Sequence, residues 1–137
     1  MDYEKLIQVR DGRNRFAREL GICTEEIREG YARVSLRVEE KHMNFVGSVH
    51  GGCLFSLADT VAGAASSSYG YYSTTVDGNI HYLSPAMNVK MLTAQAQVIK
   101  YGKRISVFEV KITDENGRLL AQGTYTYYNL GKQIELW

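Results

Sequence analysis

Between His42 and Val76 only Asp59 carries a full formal charge. It falls in the middle of a stretch that reads as helix, where Asp is a weak former. An ionised carboxylate taken out of water without partners is costly, or is driven to take up a proton. A position that expensive points to chemistry. The plainer reading has Asp59 facing water or serving as a cap at an interface.

Upstream, Asn44-Phe-Val-Gly47-Ser-Val-His50-Gly51-Gly52 forms a polar, glycine-rich entry to the same helix. The first N–H groups of a helix have no internal partner and lie at the positive end of its dipole, so they can stabilise an oxyanion. The Gly51 N–H is the candidate donor. No Gly-Lys-Ser/Thr follows, which excludes a phosphate-binding P-loop. The same residues also fit a simple turn with His50 as the helix cap. Cys53, three residues after His50, makes a Cys–His nucleophile conceivable, although Cys is equally a small core residue. His42 and His81 have no suitably spaced Asp, Glu or Cys, so no metal site is expected.

These groups need a helix to hold them, and Leu54, Leu57, Ala58, Val61 and Ala65 recur at three and four residues between Gly51 and Tyr69. The remaining positions are Ala, Gly and Ser, which predicts a core helix that water scarcely reaches. Ala32, Val34, Leu36 and Val38 alternate with polar residues as a half-buried strand does, and residues 22–27 supply a partner strand across a Glu29-Gly30 turn. Further strands are expected over 74–82, 89–100, 105–113 and 118–128, the last two joined by Asp-Glu-Asn-Gly at 114–117, in which Asn116-Gly117 is a strong hairpin signal. Residues 1–20 read as an amphipathic helical lead-in, with a break at Gly12 in view, and 21–137 as the remainder of a single domain. The result is an α+β domain in which an antiparallel sheet wraps one long central helix. Its open edges favour pairing with a second copy.

The chain has 137 residues, 45% of them hydrophobic and 23% charged, with one Pro, which sets it apart from disordered sequences. Sixteen Lys and Arg against fifteen Asp and Glu leave a net charge of +1, without the basic patch a nucleic-acid partner requires. The acidic start lacks the basic and apolar regions of a signal peptide, and no uninterrupted apolar span could cross a membrane. Two Cys cannot make a disulfide framework, so a cytoplasmic setting is expected.

The pattern Asn44-x5-His50-Gly51-Gly52-x6-Asp59, with Phe55 and Leu57-Ala58 ahead of the Asp, resembles the hotdog-fold acyl-CoA thioesterases of the PaaI type. Val76-Asp77-Gly78-Asn79-Ile80-His81-Tyr82-Leu83-Ser84-Pro85-Ala86 and Gly102-Lys103-Arg104 are similar to two further segments of that family. The resemblance spans about residues 20 to 128. It implies that Asp59 acts as general base or nucleophile, that the Gly51 amide polarises a thioester carbonyl, and that His50 and Asn44 position substrate or loop. Thr75 stands where relatives have a Ser or Thr that orients water. Asp77, Tyr82, Ser84, Pro85, Lys100, Gly102, Lys103 and Arg104 fall in the segments along which the coenzyme A tail runs. Lys103 and Arg104 would suit its phosphates, though a solvated turn accounts for them equally well. The resemblance also implies a homotetramer built as a dimer of dimers, with coenzyme A as part of the substrate and no separate cofactor. A hotdog hydratase or dehydratase, or a non-catalytic acyl-CoA-binding module, is the alternative.

Gly51 and Asp59 are eight residues apart, so a single helix separates them by about 12 Å at ~1.5 Å per residue. A base and an oxyanion donor must both lie about 3 Å from one reacting centre. If both act, they come from different chains. The clustered Tyr69, Tyr71 and Tyr72 could line an acyl pocket or simply pack.

Overall fold

A computed structural model describes residues 1–137. The chain opens with α1 (Tyr3–Arg13) and α2 (Arg15–Leu20), then runs through β1 (Ile22–Arg28) and β2 (Tyr31–Arg37). A single 3-10 turn, Glu40–His42, leads to α3 (Gly51–Ser67), and β3 (Tyr71–Tyr82), β4 (Met91–Tyr101), β5 (Ile105–Thr113) and β6 (Leu119–Gln133) complete it. All strand pairs are antiparallel, in the order β1-β2-β4-β5-β6-β3. The sheet packs onto α3 through β2, β3, β4 and β5, the hotdog arrangement. No helix is long and apolar enough to cross a membrane.

Leu57, Ala58, Val61, Ala62, Ala64 and Ala65 of α3 are wholly buried, and their small side chains let the sheet close over the helix. The expectation that water scarcely reaches this helix fails on one side. Gly52, Phe55, Ser56, Asp59 and Thr60 keep exposure and recur at three- and four-residue spacing, a stripe that the chain's own sheet leaves open.

The lead-in differs from expectation in its break. Gly12 lies inside α1, and the chain turns at Asn14, whose side-chain oxygen caps α2 by accepting from the Ala17 N–H at 3.2 Å. Leu6 and Ala17 belong to the same buried cluster as α3 and the sheet. β6 runs past the expected end at 128 because its tail pairs with the start of β3, Tyr71 opposite Gln133. At the Asp114–Arg118 hairpin only Gly117 takes the left-handed conformation (φ +80°), while Asp114 accepts from the Asn116 and Arg118 N–H groups at 2.9 Å each. The Asp114–Gly117 segment thus joins β5 to β6 as expected, closed by the left-handed glycine.

β3 is an edge strand, bulged at Val76 between the pairs Thr75–Tyr127 and Asp77–Thr126. On its partner, Gly123 lets the two backbones meet: a Cβ there would clash with the Asn79 carbonyl. Gly123→Ala is expected to destabilise the protein by about 3 kcal/mol, at the upper end for overpacking, because the obstacle is backbone. Gly12→Ala, with open space around it in α1, should instead stabilise by ~0.5–1 kcal/mol. Denaturant melts of the two variants check both signs.

Candidate active site

Asp59 is half-buried at the middle of α3, and two hydroxyls reach it from the sheet. Thr75 Oγ1 donates to Oδ1 at 2.8 Å and the Tyr127 hydroxyl to the same oxygen at 2.6 Å. Both arrive together because Thr75 and Tyr127 are directly opposed across the β3–β6 pair and so share the face that meets the helix. The Asp59 backbone carbonyl lies at the same 2.6 Å from the Tyr127 oxygen and shares its single proton. Burial, and then the Asp59 charge, raise the Tyr127 pKa, so this phenol remains a donor. Oδ2 has no partner within the chain, leaving one carboxylate oxygen for chemistry.

Tyr127 was not singled out from sequence. It is 68 residues from Asp59 and one of ten tyrosines; the period-two placement of Tyr125 and Tyr127 on the inward face of β6 is the only signal pointing to it. Tyr125 lies beside it in the fold, its hydroxyl fully buried without a partner and its pKa raised by burial and then by the Asp59 charge. Phe55 meets the Tyr125 ring edge-on at 5.4 Å, packing that needs glycine at 78, since a Cβ there would lie 2.7 Å from one ring and 2.9 Å from the other.

At the helix entry, His50 is the cap: its Nδ1 accepts from the Gly52 N–H at 2.8 Å. The Gly51 N–H is left without a partner in the chain, as an oxyanion donor must be. The Tyr82 hydroxyl donates to the Gly51 carbonyl at 2.8 Å and its ring would crowd any Cβ at 51. Asn44 shapes the preceding loop, accepting from the Val46 and Ser48 N–H groups at 3.0 Å each and donating to Ser48 Oγ at 2.8 Å. Cys53 is buried, which pushes its thiol pKa up and makes it a poor nucleophile. His42 is a satisfied core residue, its two ring nitrogens bonded to the Glu39 N–H and the Leu20 carbonyl.

The candidate groups occupy separate places in one chain. A cavity of about 380 Å³ holds Asp59 and Tyr127 under residues of α1, whereas one of about 300 Å³ holds Asn44, Gly51, Tyr82, Ser84 and Pro85. Lys103 and Arg104 line a third, of about 350 Å³, at the β4–β5 turn that Gly102 closes by donating to the Ile105 carbonyl at 2.9 Å. Lys100 is exposed on the strand leading into that turn, and Asp77 is exposed at the β3 edge with Asn79 and His81. The pairs Tyr82–Ala121 and Ile105–Tyr128 put the β3 exit and the β4–β5 turn at opposite ends of the sheet.

A curved antiparallel sheet around a helix, with a hydroxyl-held carboxylate on that helix, defines a hotdog-fold hydrolase scaffold. The chain belongs to the Thioesterase superfamily, whose sequence profile matches residues 46–121, and it is a thioester hydrolase. It is 36% identical over 105 residues to the acyl-coenzyme A thioesterase PaaI of Escherichia coli K12, an alignment covering 77% of this chain and 75% of that one. The solved structure of the E. coli PaaI protein from the phenylacetic acid degradation operon superposes with a TM-score of 0.92 at 30% identity, covering 97% of this chain and 96% of that one. A hypothetical thioesterase of Streptococcus pneumoniae TIGR4, solved with coenzyme A, gives 0.78 at 29% identity, covering 82% of this chain and 88% of that one.

Proposed function

We propose that the protein hydrolyses acyl-CoA thioesters, with Asp59 as general base through Oδ2 and the Gly51 N–H as oxyanion donor. The observation that carries this reading is the Asp59 carboxylate itself, fixed through one oxygen by two hydroxyls and free at the other, inside a cavity. Water held by Oδ2 gives up a proton as its oxygen bonds to the acyl carbon. The tetrahedral oxyanion rests on the Gly51 amide until the carbon–sulfur bond breaks, and the departing thiolate then takes the proton. Thr75 and Tyr127 donate to the oxygen that does not react, which fixes the carboxylate without consuming its basic lone pair.

Asp59 and Gly51 occupy different cavities, so the complete site requires two chains. The β3 edge and the open stripe of α3 are the surfaces that a second copy would cover. Pairing β3 with its own copy about a twofold axis sets the Tyr82 end of one strand beside the Tyr71 end of the other. The same operation brings Gly51 of one copy towards Asp59 of the second. It also joins the Tyr82–Pro85 exit of one copy to Lys103 and Arg104 of the other, since Tyr71 shares their cavity. The coenzyme A tail, in this reading, crosses that junction with its phosphates on the two cations, and two such dimers complete a tetramer.

The test is thiol release from a panel of aryl- and alkyl-CoA thioesters. Turnover is expected with wild-type protein, and its absence across the panel would sink the reading. Lys103→Ala combined with Arg104→Ala should raise KM several-fold, less so at high salt, with a smaller change in kcat. An unchanged KM would remove both residues from the site.

A further inference from the structure

The cavity over Asp59 holds more positive charge than its one carboxylate accounts for. Its charged lining groups are Arg10, Arg13 and Asp59, and none of them belongs to any of the chain's four ion pairs. The Arg13 guanidinium donates to the Tyr72 hydroxyl at 3.3 Å. The Arg10 guanidinium has no hydrogen-bond partner, and its acidic neighbour is turned away: Asp11 accepts from the Thr24 N–H at 3.1 Å and from Thr24 Oγ1 at 2.6 Å, over on β1. Tyr127, beside Arg10, is an uncharged phenol.

Arg10 is also placed with care. Gly63 is the α3 residue beneath it, and a Cβ there would stand 3.5 Å from Arg10 Nη2 and 3.0 Å from the Tyr127 hydroxyl. Glycine at 63 therefore makes the room in which guanidinium and phenol lie side by side. Gly63 follows Asp59 by one helical turn, so the Arg10 fork sits about 5–6 Å along the helix from the carboxylate. Burial lowers the Arg10 pKa, offset in part by Tyr127 and Asp11, and leaves the guanidinium partly exposed with no hydrogen-bond acceptor in the chain. A guanidinium in that state is completed by a carboxylate, which it can grip with two parallel bonds.

We propose that Arg10 binds a carboxylate at the far end of the acyl group, so that the preferred substrates are short acyl-CoA thioesters ending in a carboxylate. This rests on the reading that the Asp59 cavity receives the acyl group. The uncharged part of such a chain would span the helical turn between Asp59 and Gly63, with Tyr71 and Tyr72 walling the cavity.

The probes are glutaryl-CoA and pentanoyl-CoA, equal in carbon count and differing in the terminal carboxylate. Wild-type protein is expected to favour glutaryl-CoA at least tenfold in kcat/KM, and Arg10→Met to cut that preference at least tenfold. Equal kcat/KM for the two thioesters in wild type overturns the proposal without any variant, as does a preference that survives Arg10→Met. An equal loss on both thioesters, which leaves the preference standing, would assign Arg10 to support of Tyr127 and Asp59 instead. If wild type hydrolyses neither thioester, the hydrolase reading stands or falls separately on the wider panel, and calorimetry decides the selection. Tighter binding of glutaryl-CoA than pentanoyl-CoA, lost in Arg10→Met, supports it; equal binding overturns it.

Discussion

Asp59→Asn should lower kcat by about 100- to 10,000-fold with little change in KM, the range that a positioned general base contributes. The amide is nearly isosteric with the carboxylate. Its carbonyl oxygen can accept from Thr75 and Tyr127 as Oδ1 does, so the contacts that tie α3 to β3 and β6 are retained. What disappears is the basic oxygen facing the cavity. Steady-state kinetics measured alongside a thermal melt separate the two effects: a large fall in kcat at unchanged stability is the expected pair. A variant that keeps more than about a tenth of wild-type kcat would remove Asp59 from the proton transfer.

A mixture of two inactive proteins should recover activity. Gly51→Pro deletes the unpartnered N–H at the helix entry, at a first helical position that suits proline's backbone. The Tyr82 ring must shift by a few tenths of an ångström to admit the new Cβ, so a thermal melt accompanies the assay. If the Gly51 N–H is the oxyanion donor, as proposed, its loss should cost on the order of 100- to 1,000-fold in kcat. In a hybrid dimer with Asp59→Asn, sites built across the twofold axis divide unequally. One combines both lesions and the other has neither. Random exchange makes half of the dimers hybrids, so about a quarter of the wild-type activity should return. Sites contained within one chain would each keep one lesion, and no activity would return. A mixture shown to exchange subunits that stays as inactive as its parents rejects the shared site.

How far the sequence could be read depended on whether its information was local. Helix α3 announced itself through apolar residues at three- and four-residue spacing, and Asp59 stood out because nothing near it in sequence was charged. β1 and β2 were legible from alternation across a glycine turn. The break between α1 and α2 was misplaced because an exposed glycine can sit inside a helix, whereas Asn14 can both end one helix and cap the next. Tyr127 and Arg10 escaped for a different reason. Each owes its place to a contact made across the fold: Tyr127 to its pairing opposite Thr75, Arg10 to the gap that Gly63 leaves on the helix one turn beyond Asp59. No spacing along the chain encodes either meeting.

The bulge at Val76 ties this chemistry to strand phase. Thr75 and Gly78 are three residues apart on β3, yet they lie opposite Tyr127 and Tyr125, which are two apart on β6. Without the additional residue, an alternating strand could not keep the Thr75 hydroxyl under Asp59 and also leave the glycine gap where Phe55 meets Tyr125. A slip of one residue would turn Thr75 to the opposite face and leave Tyr127 as the sole hydroxyl on the carboxylate. The hydrogen bonding of the Asp59 carboxylate is thus a gauge of alignment at the β3–β6 seam. Sequence drift in β3 is free to change the exposed side chains but not to add or delete a residue between Thr75 and Gly78, so the length of that short segment is under tighter constraint than its composition.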